Sequence, residues 1–167
     1  MGPHRASRSP LPAGITEAEA EIALWRKIDR VAIVVVSAGV GLQALIPGWQ
    51  IMTDGSVYGF KLPRDWLSAG WPFEGYFVAG LVLFVVVGLG CLATAAINVW
   101  RPRFGAVAAL VMGLVLVGWI AGELVFLTQT MVMTWIILGA GALLVVLSAP
   151  YAWLELRVAS RRMAPAQ

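Results

Sequence analysis

The chain has 167 residues, 60% of them hydrophobic and only 13% charged, against about 25% charged in an ordinary soluble domain. The apolar residues fall into four long blocks that a soluble core of this size could not bury, so lipid is the expected solvent. The net charge of +3 comes from basic residues at the block edges, which excludes a basic nucleic-acid face, and the single Cys91 excludes an intramolecular disulfide or a Cys-x-x-Cys pair.

Residues 1–14 are rich in Pro, Ser, Gly and Arg, with too few large apolar side chains to offset ordering, and a disordered cytoplasmic tail is expected there. Over residues 15–30, Thr16 and Glu19 have a capping-box spacing, and Ile22, Trp25 and Ile28 recur at helical spacing. This predicts a helix that starts near Glu17 and runs towards the first span, as its cytoplasmic extension or as an amphipathic interfacial or partner-docking helix. The membrane domain then occupies residues 31–154. Its first block, residues 31–46, is flanked by Trp25 and Trp49 and ends at Pro47-Gly48. Those residues reach about 24 Å, short of the roughly 30 Å hydrocarbon core, and Lys27 and Arg30 are expected to snorkel across the difference. The polar lead is long for a signal peptide, so this span is expected to remain uncleaved.

The loop over residues 47–75 carries Trp49, Tyr58, Phe60, Trp66, Trp71 and Phe73, more aromatic surface than a linker needs. Asp54-Gly55 between two short β-prone stretches predicts a hairpin turn, and Pro63 to Leu67 predicts one helical turn with proline at its first position. A folded outer cap is expected, with a simple interfacial aromatic belt as the alternative.

Residues 76–100, 104–128 and 131–154 are each long enough to cross a bilayer as helices, the form that satisfies its own backbone in lipid. An all-α, antiparallel four-helix transmembrane bundle follows, with residues 155–167 as a second tail. Ten lysines and arginines lie on the side of the termini and of the Arg101-Pro102-Arg103 turn, while only Lys61 and Arg64 lie on the other. The positive-inside rule therefore predicts cytoplasmic termini and a multi-pass protein of the cell's inner membrane.

Glu123 is the one acidic or basic residue (Asp, Glu, Lys, Arg or His) within the predicted spans, about 7 to 8 Å below the outer boundary. Gln43 and Thr134 lie at a similar counted depth, so the three form a candidate polar layer. Lys61 and Arg64 are the basic residues above it and candidate cap partners for the carboxylate. Glu123 could thus anchor the cap, serve a ligand or proton, or simply snorkel. The spacing Gly118-x-x-x-Gly122, preceded by Gly113, and the pair Ser37 and Gly41 predict close helix packing. Pro150 frees the carbonyl of Val146 and predicts a mild kink. His4 is the only histidine, which excludes a bis-histidine haem within the spans. Neither a phosphate loop, a metal-spaced cluster nor a nucleophile elbow occurs, so no catalytic residue, metal or cofactor is expected.

Asp54-Gly55-Ser56, Trp66-Leu67 and the run Trp71 to Phe77, with Gly80-Leu81 and Trp119-Ile120 ahead of Glu123, resemble a widespread family of uncharacterised bacterial four-span membrane proteins. The resemblance covers roughly residues 47 to 145, departs at Ala79 where that family often has proline, and implies a topology without an established activity. Two functions are expected from the residues. One is a non-catalytic accessory, assembly or interaction subunit that meets a protein partner or a second copy. The other is a carrier or binder of a lipid-like amphiphile or a proton, using an outer-leaflet pocket around Glu123.

Overall fold

A chain immersed in hydrocarbon must satisfy its own backbone, and each apolar block does so as a helix. The computed structural model describes residues 13–67, 73, 75–126 and 132–163, with side chains described over 20–67, 73, 75–126 and 132–153. Outside these lie the expected tail over residues 1–12, Trp71-Pro72, the ends of the third and fourth spans at Thr128 and Met131, residues 164–167, and the Thr16 and Glu19 side chains.

Helix α1 runs from Ala13 to Asp54. The second span, Phe77–Trp100, joins α2 (Phe77–Val82), a π-helical segment (Leu83–Leu89) and α3 (Gly90–Trp100). Helices α4 (Pro102–Phe126) and α5 (Val132–Met163) complete the bundle. Four helices are long and apolar enough to cross a membrane, and the molecule is an all-α multi-pass bundle carrying one small β-hairpin. Helix α1 packs on the second span and on α5, α3 packs on α4, and α4 packs on α5, so the spans close into a ring. Leu116, Ile120, Leu144, Val87 and Cys91 are fully buried along its axis.

The first span corrects the sequence reading. It does not stop at Pro47-Gly48 but continues as helix to Asp54, so the crossing from Arg30 covers about 36 Å and needs no snorkelling. Pro47 removes one N–H and leaves the Gln43 carbonyl without its usual i+4 donor, a defect that membrane helices tolerate when neighbours pack closely. Close packing is what the pair provides. Pro47 and Gly48 are buried, and a Cβ on Gly48 would fall 2.7 Å from the Phe84 backbone nitrogen. A Cβ on Gly80 would collide with the Met52 backbone nitrogen, and one on Gly41 would fall 2.9 Å from the Gly88 carbonyl oxygen. Trp49 and Phe84 meet beside this crossing with ring centroids 6.1 Å apart. The chain also enters α1 at Ala13, earlier than Glu17.

The cap is shorter than expected and its hairpin lies elsewhere. Gly55, at φ +66°, ends α1 as a left-handed residue whose N–H donates to the Ile51 carbonyl at 3.2 Å. Asp54 Oδ1 accepts the Ser56 backbone N–H at 3.2 Å and the Ser56 hydroxyl at 2.7 Å. Strands β1 (Ser56–Val57) and β2 (Phe60–Lys61) then pair around Tyr58-Gly59, whose φ values of +49° and +84° suit a primed two-residue turn. A single 3-10 turn, Arg64–Trp66, follows Pro63, which precedes the turn rather than opening it.

Glycine packing is redistributed as well. Gly118 and Gly122 do not pack within the bundle: a Cβ on either would meet nothing within 4 Å. The α4 to α5 approach uses Gly113 instead, where a Cβ would lie 2.9 Å from the Gly141 carbonyl oxygen. Pro150 lies inside α5, which continues to Met163.

Candidate functional site

Span length and register set the depth of every polar side chain here. Glu123 lies near the cap-side end of α4 and Thr134 near the matching end of α5, since the two helices are joined there. The Thr134 hydroxyl donates to Glu123 Oε1 at 2.9 Å, with Thr134 buried and Glu123 half-buried. Gln43 approaches from α1, and its Nε2 donates to Met133 Sδ at 3.4 Å, one residue from Thr134. Glu123 and Thr134 therefore come together, whereas Gln43 meets α5 one residue away at Met133, with no hydrogen bond to either among the described residues. Nor is Gln43 near the end of its span; it lies eleven residues below Asp54, about 16 Å.

Lys61 and Arg64 do not join this pair. Both are exposed, Lys61 on β2 and Arg64 on the 3-10 turn, and neither forms an ion pair with Glu123. The hairpin stands on the end of α1, and its contacts return to that helix: the Tyr58 N–H donates to Gln50 Oε1 at 2.8 Å. Tyr76, at the start of the second span, closes the cap by donating its hydroxyl to the Pro63 carbonyl at 2.6 Å. Burial, and after it the Asp65 carboxylate, pushes the Tyr76 hydroxyl above the ordinary tyrosine range.

The opposite end of the bundle holds a second polar cluster that the sequence reading missed. Arg30 Nε donates to the Asn98 carbonyl at 2.7 Å and Nη2 to the Val99 carbonyl at 3.0 Å, placing a cation on the carbonyls that end α3. Asn98 is buried, and its amide donates to the Thr94 carbonyl at 3.0 Å and to the Gly105 carbonyl at 3.2 Å. This clamps the Arg101-Pro102-Arg103 turn, and no Cβ fits at Gly105 because it would collide with Asn98 Oδ1. Beside it the Tyr151 hydroxyl donates to Asp29 Oδ2 at 2.5 Å and ties α5 to α1. An asparagine two residues before a span's end and an Asp-Arg pair before a span's start were the available signals.

Ser37 is fully buried, and its hydroxyl has no hydrogen-bond partner, whereas the buried Ser148 donates to the Leu144 carbonyl at 2.5 Å. Chemically, the Glu123-Thr134 pair can hold or release one proton with a hydroxyl donor alongside. The Arg30 cluster is a fastening. Comparison with family models, curated proteins and solved structures returns no match to this chain.

Proposed function

We propose that the protein is a non-catalytic accessory or assembly component of a cell's inner membrane, with both termini in the cytoplasm, that docks another protein through the lead of α1. The observation that carries this reading is the helix before Arg30. It stays helical from Ala13, yet every described side chain from Ala20 to Ile28 is exposed, including Ile22, Leu24, Trp25 and Ile28 at 46–57%. The lead continues the membrane-crossing part of α1 without a break, and apolar side chains at helical spacing suit a partner groove. The polar clusters are directed to holding the helices together, which also favours a component over an enzyme. Affinity purification of the full chain in mild detergent tests it. A stoichiometric partner lost in the Ile22→Ala/Trp25→Ala double variant is the expected result, and no protein partner under any mild condition would overturn the reading.

The Glu123-Thr134 pair favours a second reading, a carrier of a proton or lipid-like amphiphile. A carboxylate bonded to Thr134 at membrane depth, with no basic side chain paired to it among the described residues, is a group that can change its protonation without breaking an ion pair. An amphiphile that co-purifies with the native chain and is lost in Glu123→Gln would decide for this reading.

A further inference from the structure

Gln43 lies close to the middle of its membrane crossing, thirteen residues after Arg30 and eleven before Asp54, roughly 16 to 20 Å from either end. Its side chain is exposed on the bundle surface, and its one described hydrogen bond goes to a thioether sulfur, a weak acceptor. A primary amide has two N–H donors and a carbonyl acceptor, so one N–H and Oε1 are left facing hydrocarbon, where acyl chains offer no partner. The surrounding face of α1 is open. Val35, Leu42 and Ile46 are 63%, 61% and 58% exposed, and a Cβ on Gly39 would meet nothing within 4 Å.

We infer that this face of α1 joins a second copy of the chain in a parallel homodimer, with the two Gln43 amides paired across a twofold axis and Gly39 allowing the backbones to approach. Three observations single out a second copy as the occupant. An amide is self-complementary: each N–H donates to the other copy's Oε1, as an isologous contact requires. Two copies inserted with one topology bring their amides to the same depth without further design. Gly39 sits one helical turn from Gln43 on the same face, where a close crossing needs a small residue. The open Gly118 and Gly122 face of α4 shows apolar neighbours and offers no such pairing. The inference uses a different stretch of α1 from the proposed docking lead and does not depend on it.

The test is Förster transfer between full-length chains carrying C-terminal fluorescent-protein fusions, in phosphatidylcholine and phosphatidylglycerol vesicles over a range of protein-to-lipid ratios. A saturable dimer is expected, weakened about tenfold by Gln43→Leu. Gly39→Leu should weaken it at least as much, and since nothing inside the bundle touches that position, the monomer should melt as the native chain does. Cys91 is fully buried, so Gln43→Cys supplies an accessible thiol that should oxidise to a linked dimer, while Gly118→Cys should not. A chain that stays monomeric in lipid overturns the inference, as does a dimer indifferent to Gln43→Leu or one that cross-links through Gly118→Cys instead. A monomer that still retains another protein would sink the dimer and leave the proposed partner standing.

Discussion

The two halves of the bundle differ in how many of their glycines are packed. Between α1 and the second span, Gly41, Gly48, Gly80 and Gly88 are all opposed by backbone or by side chains too close for a Cβ. On α4 and α5, Gly113 and Gly141 oppose each other in the same way, but Gly118, Gly122 and Gly139 look outward onto nothing. The spacing between glycines is therefore a poor guide to where helices touch. What matters is whether the neighbouring helix carries a gap at the same height.

The largest expected effect breaks the tight half. Gly80→Ala and Gly48→Ala each place a methyl against a backbone that cannot rotate away, and each should destabilise by about 1–3 kcal/mol or more in detergent melting experiments. Gly118→Ala and Gly122→Ala should be neutral or raise stability by up to about 1 kcal/mol, because alanine is the better helix former and the space is open. Equal losses at all four positions would show that the outward glycines are packed after all.

Next in size are the polar fastenings within each half. Arg30→Leu strips the carbonyls of Asn98 and Val99 of their donors and should cost about 1–2 kcal/mol by melting temperature, with Arg30→Lys recovering part of it. At the cap-side end, Thr134→Val should cost about 1 kcal/mol by leaving Glu123 without its donor. Glu123→Gln keeps an acceptor oxygen and should shift stability by no more than about 0.5 kcal/mol, as should Lys61→Ala and Arg64→Ala. A large loss in either basic variant would restore an ion pair to the cap. The smallest effect concerns the cap itself. Because the folded state raises the Tyr76 hydroxyl, its contribution is complete below the ordinary tyrosine pKa and is lost as pH rises through the raised value. Tryptophan fluorescence of the cap should therefore change above about pH 10, and Tyr76→Phe should flatten that change.

Block length and polarity put the second helical span and the start of the third within about two residues of where the helices begin, because lipid rewards an unbroken apolar run. The first helix outruns its apolar block because Pro47-Gly48 stops helices in water, where no neighbouring backbone fills the defect. Asp54-Gly55 suits a hairpin turn and a helix C-terminus equally, and the choice depends on where α1 ends, which the pair itself does not encode. Glu123 and Thr134 could be brought together by counting from a shared end. Asp29 with Tyr151, 122 residues apart, and Arg30 with Asn98, 68 apart, depend on the order of helices around the ring, to which no local pattern refers.

The π-helical segment sets the rotational phase of the second span. Eight residues separate Gly80 from Gly88, about 0.8 of a residue more than two α-turns, which in a regular helix would leave the two glycines roughly 80° apart. A π-turn absorbs about one surplus residue, and both glycines face α1 as a result. The segment thus behaves like an insertion whose extra length has been wound into the helix rather than expelled as a loop. Deleting Val86 would leave a spacing of about two α-turns between the glycines, only about 20° out of phase, so the span should return to regular winding with both still facing α1, readable as retained cap fluorescence. Loss of the cap signal in that variant, with the Arg30 end still folded, would mean that the π-turn itself, rather than the phase it sets, holds the cap in place.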